Sequence, residues 1–147
     1  MKILFVCTGN TCRSAMAEAM GHRWQGWICD SAGIHATPEV KASRLAMEVC
    51  EQHGLSLEEH RAKLLTQELL DAADLVLTMT KSQKDWIALS YKRPGLLFTL
   101  GEYAGAGEDV QDPWGGSIAS YEETFAQLQS LISSAWKVLS KNEEDSQ

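Results

Sequence analysis

The amino-acid sequence predicts an α/β fold, a four-stranded parallel, doubly wound sheet with helices on both faces. Short apolar runs alternate along the chain with segments of helical periodicity, and this alternation is typical of parallel βαβ units. The first run, residues 2–7, is apolar almost throughout, as expected of a strand buried on both faces. The 147 residues contain no linker or internal repeat and fit one domain, residues 1–147.

Four segments have the composition of strands, and each is followed by a change of pattern. The strands are predicted at residues 2–7, 27–29, 74–79 and 96–100. The first strand ends at the polar, glycine-containing segment 8–14, and the second ends at Ser31-Ala32-Gly33. Ligands of parallel sheets bind beyond the carboxyl ends of the strands, so the segment after residue 7 is the first candidate for a site.

The helices between the strands are predicted from apolar rows and capping residues. The first, over residues 15–20, begins with good helix formers and carries an apolar row at Met16, Met20 and Trp24. A helix over 41–53 buries one face, and Gly54 stands at its C-terminal cap. A short helix is expected over 68–72.

Capping boxes mark the later helices. Thr80 and Gln83 form one before a helix that ends at Ser90, and Ser120 and Glu123 form another before a long terminal helix. We expect a glycine-rich loop over 101–116 ahead of that terminal helix. Residues 142–147 are expected to be a frayed polar tail.

The composition excludes several classes of function. The net charge of −7 argues against a nucleic-acid binder, which normally carries a basic face. No stretch reaches the length of a membrane span, and the apolar run at 3–7 is too short for the core of a signal peptide. We therefore expect a cytoplasmic protein that binds neither nucleic acid nor membrane.

The four cysteines, at positions 7, 12, 29 and 50, predict free thiols in a reducing compartment rather than disulfides. Their spacing includes no C-x-x-C pair, and no histidine cluster is present to complete a zinc site. We expect neither a metal nor a cofactor.

The segment between the first strand and the first helix has the residue types of an anion-binding site. It consists of Cys7, Thr8, Gly9, Asn10, Thr11, Cys12, Arg13 and Ser14. Such a loop can turn successive backbone N–H groups inward, and the following helix adds the positive end of its dipole. Arg13 supplies a planar fork that matches two phosphoryl oxygens, and Ser14 can donate its hydroxyl to the Cys7 sulfur. The same field favours a Cys7 thiolate, the form that attacks phosphorus.

A cysteine that merely ends a buried strand is the alternative interpretation of Cys7. A cysteine and an arginine six residues apart occur often by chance. Their position between a strand and a helix, with Gly9 and Asn10 suited to unusual backbone angles, favours the phosphoryl-binding interpretation.

Asp112 is the candidate general acid for such a reaction, because a leaving group needs a proton as its bond to phosphorus breaks. Pro113 biases Asp112 toward an extended conformation, which helps to aim the carboxyl group. An ordinary Asp-Pro surface turn is the alternative. The presence of the loop that contains Cys7 favours the interpretation of Asp112 as a general acid. Trp114 is expected to form an aromatic wall of the cleft.

These segments resemble the low-molecular-weight protein phosphatases along the whole chain. The motifs are C-T-G-N-T-C-R-S at 7–14, S-A-G at 31–33, D-L-V-L-T-M at 74–79 and D-P-W at 112–114. The resemblance implies a flavodoxin-like fold of the phosphotyrosine phosphatase I type, without metal or cofactor. It implies that Cys7 is the nucleophile, that Arg13 binds the phosphoryl group and that Asp112 is the general acid.

The resemblance also implies supporting residues for the loop. Asn10 and Ser14 would brace it, and His60 and Ser31 would lie behind it. His60 would otherwise be an exposed loop histidine. The family commonly has proline at the position of Ala15, and because alanine also starts a helix well, this departure leaves the expected chemistry in place.

Two features resemble the bacterial protein-arginine phosphatases of this family rather than its tyrosine phosphatases. One is Thr11, where an aliphatic residue is usual in the tyrosine enzymes, and the other is the absence of a second aromatic residue after Asp112-Pro113-Trp114. The phrases F-T-L-G-E-Y at 98–103 and D-P-W-G-G-S-I at 112–118 strengthen the match. The expected partners are phosphorylated proteins, carrying phosphoarginine or phosphotyrosine, and the expected state is a monomer.

Three other functions stay open at this point. A protein-tyrosine phosphatase is the first. A thiol-dependent arsenate reductase would need relay cysteines, and residues 80–92 contain none. A non-catalytic phosphate-binding module would be expected to lack the nucleophile or the acid. Cys12 lies in the same loop as Cys7, so we also expect a reversible Cys7–Cys12 disulfide after oxidation.

Overall fold

The computed structural model describes residues 1–92 and 95–145, and it confirms the predicted α/β fold. Its four parallel strands are β1 (Lys2–Cys7), β2 (Ile28–Gly33), β3 (Leu75–Thr78) and β4 (Leu97–Thr99), in the order β2-β1-β3-β4. The helices are α1 (Arg13–Gly21), α2 (Arg44–Gln52), α3 (Gln67–Ala72), α4 (Lys81–Ser90), α5 (Leu100–Ala104) and α6 (Ile118–Asp145). In the described part of the chain, no helix is both long and apolar enough to cross a membrane.

Both faces of β1 are buried, because alternate side chains of a strand point to opposite faces of the sheet. Ile3 and Phe5 belong to one core cluster, which α1, α2 and α6 cover. Leu4 and Val6 belong to the second cluster, which α3 and α4 cover from the other side. The continuous apolar run at the start of the chain is therefore explained by helices on both faces.

The order of the strands reverses at β1, which has β2 on one side and β3 on the other. A crevice opens at such a switch point beyond the carboxyl ends of the strands. The last residue of β1 is Cys7, so the topology places its side chain at the mouth of this crevice.

The bounds of three early elements differ from the prediction, and the first is α1, which runs from Arg13 to Gly21 rather than over residues 15–20. Strand β2 runs to Gly33 rather than ending at residue 29, because its whole length pairs with β1 as far as Cys7. Helix α2 begins at Arg44 rather than at residue 41, because the Ser43 hydroxyl accepts a hydrogen bond from the Ala46 N–H and caps the helix there. Gly54 follows α2 with a φ of +77°, which confirms its place in the helix cap.

Helix α5 begins at Leu100, which we expected to end the fourth strand, and it occupies the start of the segment that we expected to be a glycine-rich loop from residue 101. Thr99 ends β4 and also forms a capping box with Glu102, so the chain passes directly from strand to helix. The sequence does not predict this helix, because it contains Gly101 and glycine is a poor helix former. A Cβ atom there would lie 2.1 Å from the Glu108 carbonyl oxygen, which explains why the position has no side chain.

The capping box at Thr80 and Gln83 is confirmed, whereas the one predicted at Ser120 and Glu123 is wrong. Helix α6 already begins at Ile118, and the Ser117 hydroxyl accepts a hydrogen bond from the Ser120 N–H. The helix also continues to Asp145, so a frayed tail from residue 142 is wrong for the described residues. Lysine and glutamate are good helix formers, which explains this continuation past the buried stripe. Residues 146–147 of the predicted tail lie outside the described residues.

Gly33 is required where β2 passes behind the segment that follows β1. A Cβ atom at this position would lie 2.6 Å from the Thr8 carbonyl oxygen and 3.0 Å from the Asn10 nitrogen. Both are backbone atoms, so neither can move away as a flexible side chain would. We predict that Gly33→Ala destabilises the protein by about 1–3 kcal/mol, measured as the change in the free energy of unfolding.

Gly95→Ala is the matched control, because a Cβ atom there meets nothing within 4 Å. Phosphate titration should show weaker binding to the Gly33→Ala protein and unchanged binding to the control. Equal stability and equal binding in the two variants would contradict the prediction.

Candidate active site

The residues between β1 and α1, Thr8–Cys12, form a loop that we call the binding loop. It borders a cleft of about 250 Å³. The cleft is lined by Cys7, the binding loop, Arg13, Asp112 and Trp114. The structure thus brings the predicted nucleophile, the predicted phosphoryl-binding arginine and the predicted acid to one cavity at the carboxyl edge of the sheet.

Asn10 holds the binding loop in its curled shape. Its φ is +58°, in the left-handed region that asparagine tolerates better than most residues. Its buried side-chain amide donates to the hydroxyls of Ser14, at 2.8 Å, and of Ser31, at 2.9 Å. Its side-chain oxygen accepts from the Lys63 N–H at 3.0 Å. These three contacts tie the loop to α1, to β2 and to the segment after α2.

Four of the five backbone carbonyls of the binding loop point away from the cleft, because donors elsewhere in the chain hold them. The pairs are Thr8 O with His35 N at 3.0 Å, Asn10 O with His60 Nε2 at 2.7 Å, Thr11 O with Ser43 N at 3.0 Å, and Cys12 O with Met16 N at 2.9 Å. In a trans peptide the carbonyl and the next N–H point in opposite directions, and no peptide bond here is cis. The N–H groups of Gly9, Thr11, Cys12 and Arg13 therefore face the cleft, as an anion site needs.

The Cys7 sulfur lies at the base of this set of donors. Ser14 Oγ is 2.8 Å from it, and the Asn10 N–H donates to it at 3.3 Å. Because Ser14 Oγ already accepts from the Asn10 amide, its own hydrogen is free to donate to the sulfur. The N-terminus of α1 adds a positive dipole end. The Cys7 sulfur is thus surrounded by groups that can donate hydrogen bonds to it.

Arg13 is buried to 5% exposure, and its guanidinium connects the binding loop with the segment that carries Asp112. Nη1 donates to the Val110 carbonyl oxygen at 3.2 Å, and Nη2 lies 3.7 Å from Asp112 Oδ2. The Val110 N–H in turn donates to Met79 O at 2.9 Å, just after β3. The guanidinium plane is therefore fixed before any ligand binds. Nothing in the sequence indicated the role of Val110 in the site, because it contacts Arg13 through a backbone carbonyl.

Asp112 stands on a tight turn at the rim of the cleft. Its Oδ1 accepts from the Trp114 N–H at 3.0 Å, and the Gly116 N–H donates to Pro113 O at 2.9 Å. The Asp112 side chain is 56% exposed, which leaves the carboxyl group open to a bound substrate. Trp114 is 75% exposed and lines the same cleft.

The residues expected behind the loop are found there. His60 donates through Nε2 to the Asn10 carbonyl, which fixes the hydrogen on that nitrogen because a carbonyl can only accept. Ser31 accepts from the Asn10 amide and donates to Glu18 Oε1 at 2.7 Å. Sequence reasoning missed Glu18, which on its helix is indistinguishable from an ordinary solvated acid.

All four thiols are free. Cys12 Sγ lies 3.3 Å from Ser43 Oγ and 3.5 Å from the Tyr121 hydroxyl, behind the loop. Burial raises the pKa of Cys29 and of Cys50 to about 12, so both stay protonated at neutral pH. Cys29 pairs with Ile3, about 13 Å along β1 from Cys7. The Cys7–Cys12 disulfide stays a prediction.

Ser43 and Tyr121 were also not predicted from the sequence. They come from the start of α2 and the first turns of α6, and only the fold brings them to Cys12. Burial raises the pKa of Tyr121, so its hydroxyl stays a donor at neutral pH. Among residues 1–92 and 95–145, no group of three or more histidine, cysteine or acidic side chains is arranged to hold a metal.

A parallel α/β sheet with a thiol, a guanidinium and inward N–H groups at its carboxyl edge defines the class of phosphoryl-binding proteins with a nucleophilic cysteine. The model of the family described as "Low molecular weight phosphotyrosine protein phosphatase" matches residues 2–145. The chain belongs to this family.

Relatives of known description agree with this assignment. A protein-arginine-phosphatase of Bacillus subtilis is 43% identical, over 97% of this chain and 99% of its own. The low molecular weight protein-tyrosine-phosphatase PtpB of Staphylococcus epidermidis is 38% identical, over 90% of this chain and 94% of its own.

Solved structures of similar fold include one with a modified active site. It is the YwlE arginine phosphatase with its cysteine replaced by a serine, and that active-site serine is phosphorylated. The TM-score is 0.90 at 42% identity, and the match covers 98% of this chain and 99% of that chain.

Replacing Ser14 tests how the site activates Cys7. Ser14→Ala removes the hydroxyl 2.8 Å from the sulfur. Because a hydrogen bond to a charged group is lost, we expect alkylation of Cys7 at pH 7 to be about 10-fold slower. The measurement is the rate of modification by iodoacetamide, with mass spectrometry to locate the label. Ser82→Ala, on the exposed start of α4, should leave the rate unchanged. An unchanged rate in Ser14→Ala would show that the hydroxyl does not support the thiolate.

Proposed function

We propose that this chain is a cysteine-dependent protein phosphatase that hydrolyses phosphoarginine residues through a phosphocysteine intermediate. The observation that carries the proposal is the position of the Cys7 sulfur beneath a ring of inward N–H groups, with Arg13 and Asp112 on the same cleft. This arrangement supplies a nucleophile, an anion site and an acid at one place.

The first step transfers the phosphoryl group to the protein. The Cys7 thiolate attacks phosphorus while the loop N–H groups and the Arg13 fork hold the three phosphoryl oxygens. The bond from phosphorus to the leaving nitrogen breaks, and its electron pair stays on the guanidino group. Asp112, at the open side of the cleft, gives a proton to that nitrogen.

The second step releases phosphate. Asp112, now a carboxylate, takes a proton from a water molecule that attacks phosphorus, and the phosphorus–sulfur bond breaks. The leaving thiolate is stabilised by the Ser14 hydroxyl and by the Asn10 N–H. Each group that activates Cys7 for attack thus also makes it a better leaving group.

Thr11 supports arginine as the substrate residue. Its side chain lines the cleft, with Oγ1 3.8 Å from Cys12 Sγ, the one polar partner it has in the described part of the chain. A Cβ atom added to Gly9 would lie 3.7 Å from the same hydroxyl, so the Thr11 hydroxyl lies close to Gly9 within the binding loop. A hydroxyl there suits a polar guanidino group, whereas a phenyl ring would prefer an apolar wall. The arginine phosphatases among the relatives point the same way.

A tyrosine phosphatase is the second candidate, favoured by the exposed Trp114 and by the PtpB relatives. An aromatic wall at the rim would stack on a phenyl ring. An arsenate reductase is disfavoured, because burial raises the pKa of Cys29 and Cys50 to about 12 and leaves neither as a reactive relay thiol. A non-catalytic module is disfavoured by the nucleophile and acid on one cleft.

We further propose that the chain works as a single-domain monomer, residues 1–147, in the cytoplasm. The family match over residues 2–145 supports one domain. The free state of all four cysteines supports a reducing compartment. The substrates are phosphorylated proteins, and neither nucleic acid nor membrane is a partner.

The substrate choice is tested with Thr11→Ile. Replacing the hydroxyl by an apolar ethyl group should lower kcat/KM for phosphoarginine about 10-fold, because an N–H donor of the leaving guanidino group loses its hydrogen-bond partner. Turnover of phosphotyrosine should hold or rise. The measurement is kcat/KM for both substrates with the wild type and the variant, side by side.

Thr37→Ile is the control, since that threonine is exposed and lies outside the cleft lining. It should leave both activities unchanged. A parallel fall of both activities in Thr11→Ile, or a wild type that prefers phosphotyrosine, would assign the chain to the tyrosine phosphatases.

The role of Asp112 is tested with Asp112→Asn, which keeps the shape and removes the proton. Loss of a general acid costs about 10²–10⁴-fold in rate. The loss should be large for poor leaving groups and small for activated aryl phosphates. The comparison is kcat across a series of aryl phosphates of different leaving-group acidity. A uniform loss would mean that Asp112 positions Arg13 or the turn instead.

A further inference from the structure

Gln83 is a buried side chain whose orientation the backbone fixes. It lies in the first turn of α4 and is 3% exposed. Its Oε1 accepts from the Met79 N–H and from the Thr80 N–H, each at 3.0 Å. Both partners can only donate, so the amide cannot turn over and its nitrogen must face the other way.

The amide nitrogen faces Thr8, the residue directly after Cys7. Gln83 Nε2 donates to Thr8 Oγ1 at 3.2 Å. This contact is the one hydrogen bond that the Thr8 hydroxyl makes within the described part of the chain. Because the oxygen accepts from Gln83, the hydrogen of the hydroxyl points elsewhere. Thr8 is exposed and lines the cleft beside Cys7.

We propose that the Thr8 hydroxyl donates a hydrogen bond to the phosphoryl group of the substrate, and that Gln83 is the positioning residue that turns it there. The identity of the ligand as a phosphoryl group rests on the function proposed above. Thr8 would then add a side-chain donor to the backbone N–H groups of the binding loop.

The chemistry of the ligand favours this direction of the hydrogen bond. Phosphoryl oxygens only accept, so a hydroxyl beside them must be the donor. A hydroxyl that already accepts from an amide N–H is a stronger donor, because linked hydrogen bonds polarise one another. Gln83 therefore orients the Thr8 hydroxyl and strengthens it, from a distance that keeps Gln83 itself out of the cleft.

The first test replaces Thr8 and measures binding of inorganic phosphate by calorimetry. Thr8→Val keeps the shape and removes the hydroxyl, and we expect phosphate to bind about 10-fold more weakly, as for one lost hydrogen bond to a charged group. Thr8→Ser restores the hydroxyl and should bind like the wild type. Thr8 is exposed, so both variants should fold. Equal binding in Thr8→Val and the wild type would overturn the proposal.

The second test separates the effect of Gln83 on the orientation of the Thr8 hydroxyl from the effects of an added charge and of altered folding. In Gln83→Glu, one carboxylate oxygen keeps the contacts with Met79 and Thr80. The other oxygen can only accept, so it draws the Thr8 hydrogen away from the cleft. The substitution is made in the wild type and in Thr8→Val. Its charge acts in both backgrounds, whereas its effect on the hydroxyl exists only where the hydroxyl is present.

We expect Gln83→Glu to weaken phosphate binding about 10-fold more in the wild type than in Thr8→Val. Equal effects in the two backgrounds would show that Gln83 does not act through Thr8. If the carboxylate prevents folding, Gln83→Met, which cannot donate, replaces it in the same two backgrounds. Phosphate binding needs no turnover. A wild type that binds phosphate but hydrolyses no aryl phosphate would refute the proposed function and leave this test valid.

Discussion

The direction of the peptide groups in the binding loop is the constraint on which the site depends. A backbone N–H can face an anion only if the carbonyl of the same peptide is held on the opposite side, and four donors outside the loop hold these carbonyls. The donors belong to the segment just after β2, to the segment before α2, to His60 and to α1. The anion site is therefore a product of the whole sheet-and-helix arrangement, although its ligand-facing atoms come from a few consecutive residues.

The central part of this arrangement could be predicted from the sequence. An apolar run followed by a polar loop and a helix identified β1 and its carboxyl end, because a strand buried on both faces has a distinctive composition. Asn10 was a candidate for left-handed geometry from its residue type alone. The cap at Thr80 and Gln83 was visible because both partners lie within four residues.

The remaining features depend on atoms that carry no sequence signal or on partners far apart in the chain. Arg13 contacts Val110 through a carbonyl, which every residue has. Tyr121 meets Cys12 across 109 residues of chain. Two serines compete to cap α6, and the pattern with Glu123 favoured Ser120 although the fold uses Ser117. Gln83 looked like a helix cap alone, because its second contact needs the tertiary structure.

The segment that carries Asp112 is fastened at its first end by main-chain atoms. Val110 contributes a carbonyl to Arg13 and an N–H to Met79, and the Gln111 carbonyl accepts from the Thr124 hydroxyl on α6. These anchors are main-chain atoms and all lie before Asp112, so they do not depend on which side chains occupy the turn from Pro113 to Ser117. Proteins with this fold can therefore change their preference for a leaving group through a few substitutions at the rim of the cleft. The residues that hold the phosphoryl group stay the same.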